Sequence, residues 1–434
     1  MPCFYAQVKI RNSHILRKAV FLKYGFLYLQ KKRMEEARNI EQFKAGSWER
    51  QYGYRSFLPE LVDREWLLAD PHTQLLLSEA DRYLGELNAF GMIVPNVDFF
   101  IKMHITKEAT FSNRIEGTQT EMGEALLKAQ DVKPEKRDDW QEVQNYIQAI
   151  NYAVGELENL PLSSRLLCQT HALLLQGVRG KNKLPGEYRS SQNWIGGATL
   201  RDAVFIPPHQ TQLSALMSDL EKLLNNADIR MPHLLRIAIA HYQFETIHPF
   251  LDGNGRLGRL LITLYLVRYG LLTKPSLYLS EFFENNKHLY YDNLTLVRDR
   301  DNLLQWIRFF LVGVSETAKN ATYTFQQILK LKEKVETEQI VTLGKRSLIG
   351  YAFIKELYKN PIITTGDAAE RLNITDATAS RLISDFEKLG ILTEQTGFRR
   401  NRLFVFKEYL QLFENLPDHH STTRLGSTTA SFGG

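Results

Sequence analysis

The sequence predicts a mainly α-helical protein with one β-hairpin and a small C-terminal unit of three helices and two strands. Apolar residues recur at helical spacing through most of residues 70–334. One Gly-Gly pair, Gly196 and Gly197, sits between the β-prone runs "NWI" and "AVFI". After Ser347 the pattern shortens to helix, helix, helix, hairpin.

Composition sets the outer limits. The 434 residues are 44% hydrophobic and 24% charged, which suits two or three domains with real cores. A net charge of +5 permits a nucleic-acid partner without requiring one. Cys3 and Cys168 lie far apart, which argues against a disulfide framework or zinc site and fits a reducing cytoplasm. The opening run "ILRKAVFLKYGFLYLQKKR" is interrupted by Lys23 and lacks a small-residue cleavage site. It is too short and too charged to span a bilayer, so no membrane role is expected. It reads as an amphipathic helix, or as sequence upstream of a start at Met34. Residues 1–45 are taken as an N-terminal extension.

Helices begin after a loop. In "DPHTQLLLSEADRYLGELNAF" the residues Leu76, Ala80, Tyr83, Leu84 and Leu87 share a helical face, and Asp70-Pro71 marks its start. Further helices are expected at 98–112, 119–130, 138–157 and 163–176. The hairpin falls within 186–208, and helices resume at 210–225, 232–246, 256–269, 286–297 and 302–334. Residues 46–135 form an N-terminal helical region and 136–335 a helical core, with a boundary near 335–346. Over 346–410, "RSLIGYAFIKELYKN", "TTGDAAERLNI" and "TDATASRLISDFEKLGIL" read as helices. Thr375 or Asp376 caps the third, Gly390 stops it, and two strands follow around Gly397. That order is a winged helix. Thr378, Ser380 and Arg381 would face outward on its third helix, and Arg399, Arg400 and Arg402 lie on the wing, placed for DNA phosphates. Asp376, Asp385 and Glu387 dilute that charge, so docking or dimerisation is the other reading. The Ser/Thr/Gly-rich tail, 417–434, is expected to be disordered.

The chemistry concentrates in "HPFLDGNGRLGR", His248 to Arg259. It lies between the apolar runs "HLLRIAIAHYQFETI" and "RLLITLYLVRYG", so it is a loop that opens a helix, with Arg256 and Arg259 in its first turn. Unpaired N–H groups and the dipole make a helix start attractive to anions. Gly253 and Gly255 let the backbone approach a ligand. Two arginines three apart repel each other at the end where cations are least welcome, which makes sense if a polyanion lies between them. A triphosphate fits, Asp252 can hold Mg²⁺ against it, and His248 suits general-base work on a hydroxyl. "DGNG" alone is only a turn signal, and Thr263 stands where a calcium loop needs Glu. "ETIH" lacks the second copy that a diiron bundle requires.

This stretch matches the Fic-family signature His-Pro-Phe-x-Asp/Glu-Gly-Asn-Gly-Arg-x-x-Arg without departure, and the resemblance covers roughly residues 46–335. The resemblance implies a helical fold and transfer of AMP from ATP to a protein Ser, Thr or Tyr hydroxyl, with release of pyrophosphate. His248 would be the base and Asp252 the Mg²⁺ ligand. Gly253, Asn254 and Gly255 would line the phosphate cradle, and Arg256 and Arg259 would hold the outer phosphates. "FSNRIEG" fits the family's inhibitory motif, Ser/Thr-x-x-x-Glu-Gly/Asn. That implies a helix ending at Gly117, with Ser112 and Glu116 on one face and Glu116 paired to Arg259. The hairpin at 193–206 corresponds to the flap that clamps a target peptide. Of Tyr290 and Tyr291, one should pack and Tyr291 should lie near the adenine; Arg298 replaces an asparagine found in related eukaryotic members. The family also implies a homodimer and permits self-AMPylation. Other readings are a nucleotide-sensing DNA-binding regulator, a different nucleotide donor, and removal of AMP.

Overall fold

The computed structural model describes residues 37–93, 97–177, 180, 182–397 and 402–414. Expectations for residues 1–36, for Arg399 and Arg400, and for the 417–434 tail lie outside the described residues.

Short strands come first. β1 (Arg38–Asn39) runs parallel to β4 (Trp66–Leu67), and between them β2 (Gly46–Arg50) pairs antiparallel with β3 (Arg55–Pro59). This hairpin departs from the expected helical region: β3 falls in the stretch read as a loop from about Gly53, and β2 precedes it. Its strands are held by packing distant in sequence: Trp48 meets Phe57 at 5.2 Å and Phe205 at 6.1 Å.

Helices follow as α1 (Pro71–Ile93), α2 (Val97–Ile115), α3 (Met122–Ala125), α4 (Arg137–Glu156) and α5 (Ser164–Leu174). After the flap come α6 (Leu213–Asn225), α7 (His233–Ile247), α8 (Asn254–Arg268), α9 (Ser280–Asn285), α10 (Lys287–Arg300) and α11 (Leu303–Glu333). The helix expected over 119–130 shrinks to α3 and a 3₁₀ turn at Ala129–Asp131. Tertiary contacts divert this segment: Gln144 donates to the Ala125 carbonyl, Asn360 to the Leu126 carbonyl, and Lys128 pairs with Asp367. α9 was not expected.

α7 and α8 form the centre. Every residue of α7 from Leu234 to Ile247 is buried, and α8 is buried from Arg256 through Leu266. Both helices are enclosed on all sides, with buried polar groups among their apolar residues. The loop joining this pair therefore starts and ends on rigid, enclosed elements.

The C-terminal unit follows as α12 (Ser347–Lys359), β5 (Ile362–Ile363), α13 (Thr365–Leu372), α14 (Asp376–Lys388), β6 (Thr393–Glu394), β7 (Phe404–Val405) and α15 (Lys407–Glu414). β7 lies between β5 and β6. The Thr375 side chain caps α14, and Gly390 takes φ +72° after it. β5 and α15 add to the expected winged helix. Thr378, Ser380, Arg381 and Arg402 are exposed.

α2 connects this unit to the central loop. Near its start Phe100 packs against Tyr358 at 5.9 Å and Tyr409 at 6.4 Å, and His104 lies 5.2 Å from Phe413. Its far end reaches the start of α8.

The flap is looser than the expected hairpin. Its arms meet at one antiparallel bridge, Ile195 to Phe205. Gly196 and Gly197 both take positive φ but do not form a two-residue tip. Residues 196–204 make a longer loop instead, drawn in by Asp202, which accepts from the amides of Ala198 and Thr199 at 2.8 and 2.7 Å. Among the described residues no helix is long and apolar enough to cross a membrane.

Candidate active site

α8 begins with its backbone donors open. The first intrahelical bond runs from Leu257 N to Gly253 O, so the amides of Asn254, Gly255 and Arg256 have no partner within the helix. Gly253 takes φ +76° to turn the chain in, and a β-carbon there would press on the His171 ring. The Asn254 side chain closes the loop behind it, accepting from Phe250 N at 2.9 Å and donating to Phe250 O at 2.8 Å. Both ends of that amide are engaged by the loop, so Asn254 contributes through its backbone and by fixing the turn.

Arg256 and Arg259 sit three residues apart on α8, but Arg259 falls in its second turn, not the first as expected. Protein groups already compensate both charges, so a bound polyanion is not their only means of neutralisation. Arg256 Nη1 reaches Glu142 Oε2 at 3.2 Å and Asn113 Oδ1 at 3.3 Å, and Nη2 reaches Asp252 Oδ1 at 3.3 Å. Arg259 is 1% exposed; its Nη2 donates to Glu116 Oε1 at 2.7 Å and to the Ser112 carbonyl at 2.8 Å. Its Nε donates to Ser112 Oγ at 3.0 Å. Nearby carboxylates and tyrosines overcome the cost of burial and push the Arg259 pKa upward.

The geometry of Glu116 is built by the end of α2. Thr118 N bonds Asn113 O and Gly117 N bonds Arg114 O, the paired bonds of a Schellman ending, with Gly117 at φ +104°. Glu116 is therefore the capping residue just past the helix, and its side chain is 36% exposed. An added β-carbon at Gly255 would come within 2.4 Å of Glu116 Oε1, so glycine there lets the carboxylate approach. Burial acts to raise the Glu116 pKa, but Arg259 outweighs it and the net shift is downward.

His248 ends α7 in the left-handed conformation, φ +48°, a strained state for a non-glycine residue. Burial, aided by Arg189 and opposed by Glu116, lowers its pKa to about 4, so the ring is neutral near neutral pH. Asp252 is 43% exposed at a cleft shared with Glu116, Glu142 and Arg256. Among the described residues its hydrogen bonds fall on Oδ1 alone, from Gly253 N and Arg256. A part-exposed carboxylate beside open amides fits Mg²⁺ carried mainly by phosphate and water. No cluster of three or more His, Cys, Asp or Glu suited to a protein-built metal cage occurs among the described residues. Tyr290 is buried and its hydroxyl bonds His241 Nε2 at 2.9 Å, whereas Tyr291 is 41% exposed and within reach of the Glu116 and Arg259 charges.

Sequence reasoning missed the residues that hold the loop. His171 Nε2 donates to the Asp252 carbonyl at 2.9 Å, and its Nδ1 accepts from Gly186 N at 2.9 Å. A carbonyl only accepts, so these partners fix the neutral tautomer. The ring stacks on Phe250 at 3.8 Å, and burial lowers its pKa to about 4. Buried Arg189 donates to His248 O at 3.0 Å and Pro208 O, placing a cation at the end of α7 where the dipole favours one. Asn193 Nδ2 donates to Phe250 O at 2.9 Å. Arg298 lies 3.9 Å over the Phe205 ring, tying α10 to the flap.

Three family profiles match: Fic/DOC family N-terminal over residues 74–155, Fic/DOC family over 161–266, and winged helix-turn-helix DNA-binding over 354–393. The chain carries a Fic domain. It is similar to the protein adenylyltransferase Fic of Aedes aegypti, 36% identical over 29% of this chain and 22% of that protein. The Culex quinquefasciatus protein of the same name is 38% identical over the same shares. The chain thus spans about a fifth of the length of these curated relatives. Among solved structures it resembles a Fic family protein from Desulfovibrio desulfuricans G20, with a TM-score of 0.49 and 20% identity, covering 78% of this chain and 96% of that one.

The Glu116–Arg259 contact makes a pH prediction. A carboxylate with a lowered folded pKa contributes stability above its unfolded value, 4.5, and loses it as pH falls through the folded one. Unfolding by urea should therefore show wild type more stable than Glu116→Gln by a constant margin above pH 4.5, narrowing below it. A margin that ignores pH would contradict the ion pair.

Proposed function

We propose that this protein transfers AMP from ATP to a Ser, Thr or Tyr hydroxyl of a protein target, and that Glu116 holds it inactive. The Fic domain and the adenylyltransferase relatives support AMP transfer in general. The observation that carries the inhibited reading is the Glu116 carboxylate on Arg259, close against Gly255 at the start of α8.

The roles follow from the geometry. The open amides of Asn254, Gly255 and Arg256 take phosphate oxygens, aided by the helix dipole. Arg256 and Arg259 exchange their carboxylate partners for the outer phosphates. Asp252 would hold Mg²⁺, which supplies charge neutralisation on the phosphates. Neutral His248 takes the proton as the target oxygen bonds the α-phosphorus and the bond to pyrophosphate breaks. Catalysis is then alignment and charge neutralisation more than covalent chemistry. With Glu116 in place, the γ-phosphate finds its guanidinium occupied and a carboxylate beside it. Tyr291 supports the adenine, and the flap at 193–206 takes the target as an added strand.

The winged helix adds a second partner class. Its α14 exposes Thr378, Ser380 and Arg381 on one helix, an arrangement suited to duplex DNA.

Labelling the full chain with α-labelled ATP and Mg²⁺ tests the transferase reading. Glu116→Gly should label itself or added proteins at least about tenfold faster than wild type, a difference of ~1.4 kcal/mol in barrier. Adding His248→Ala should slow this by about 10²–10⁴, the usual contribution of a general base. The rate should stay level as pH falls through 6.5, the ordinary imidazole value, because His248 charges only near pH 4. Equal labelling by the single and double variants would remove His248 as the base. Competition by UTP, GTP and CTP identifies the donor.

A further inference from the structure

The β2–β3 hairpin contains an unfavourable pair that nothing in the site described so far uses. Arg50 and Arg55 are directly opposite each other in its register. Opposed residues on antiparallel strands share a face, and like charges there repel. By the same period, Trp48 and Phe57 lie on this face too, and they pack on Phe205 of the flap. The hairpin is also bonded to the flap's second arm, from Phe57 N to Ile206 O at 2.9 Å.

A groove results, with one wall from the hairpin and one from the flap. Trp48, Tyr54 and Arg55 line the first wall; Arg201 and Val204 line the second. Val204 is 75% exposed and Trp48 41% exposed, large apolar surface for a monomer to leave beside a strand edge. Among the described residues Arg50, Arg55 and Arg201 have no ion-pair partner, and all three are exposed. The nearby acids are otherwise engaged: Asp202 is bound by Ala198 and Thr199, and Glu49 points to the opposite face of the hairpin.

We propose that this groove binds an extended, acidic stretch of the target protein beside the hydroxyl to be modified, with an apolar side chain against Trp48 and Val204. The inference rests on the flap reading above and adds the chemistry of the segment it selects. Three uncompensated cations beside an aromatic shelf complement carboxylates alternating with apolar residues. The exposed apolar faces of Trp48 and Val204 between these cations suit carboxylates alternating with apolar side chains better than an unbroken row of phosphates.

Fluorescence polarisation on the full chain without nucleotide tests this, using fluorescein-labelled peptides that carry a central Ser flanked by Glu and Val or by Lys and Val. The Glu peptide should bind about tenfold tighter than the Lys peptide, the size of two partly shielded ion pairs. Arg55→Glu with Arg201→Glu should reverse the order. Arg55→Glu alone should melt no lower than wild type, because it replaces a repulsive cross-strand pair with an attractive one. Unchanged peptide preference in the double variant, a lower melting temperature for Arg55→Glu, or equal competition by a single-stranded DNA oligonucleotide would each overturn the proposal. Since no nucleotide is present, failure of AMP transfer leaves this measurement standing, and its failure leaves AMP transfer standing.

Discussion

A guanidinium almost wholly removed from water must be matched by charge or hydrogen bonds, and Arg259 is that group here. It stands near the start of α8, where the helix dipole already disfavours a cation. Ser112 and Glu116 meet the demand with three hydrogen bonds. Much of the surrounding structure serves that contact. Gly117 turns the chain so that Glu116 caps α2, and Gly255 leaves room for the carboxylate. Asn113, on the same turn, reaches across to Arg256. In the proposed function the same charge is owed to a phosphate, so the compensation that stabilises the resting protein is also what holds it off.

The loop from His248 to Gly253 is held by residues outside its own motif. His171 holds the Asp252 carbonyl, Arg189 the His248 carbonyl and Asn193 the Phe250 carbonyl. Fixing these carbonyls sets the course of the loop into α8, so the open amides of Asn254, Gly255 and Arg256 are held in place before any ligand arrives. α2 is likewise held at both ends: aromatic rings of the winged helix enclose Phe100 and His104, while Ser112 and Glu116 grip Arg259. Whatever displaces one end acts on a single continuous helix.

The sequence made the loop, the start of α8 and the ending of α2 readable because their physics is local. Glycines and closely spaced arginines have short-range causes. The partners of those arginines were only half readable. The Glu116 pairing came with the family motif, whereas Glu142 gave no signal, since it reaches Arg256 across 114 positions of sequence. His171 reads as an ordinary core histidine in "LLCQTHALLL", because its partner is 81 positions away. The β2–β3 hairpin stayed hidden for the same reason: Trp48 and Phe57 become strand residues by packing on Phe205. The Gly196–Gly197 pair misled in the opposite direction, since Asp202 organises a loop longer than a glycine tip requires.

The central claim is that one guanidinium serves either Glu116 or a γ-phosphate and not both. Calorimetric titration of ADP and ATP, with Mg²⁺, into wild type and Glu116→Gly measures it directly. The account predicts nearly equal affinities for the two nucleotides in wild type, and an advantage for ATP of about tenfold or more, ~1.4 kcal/mol, once the carboxylate is gone. The same ATP-to-ADP ratio in both proteins would contradict it.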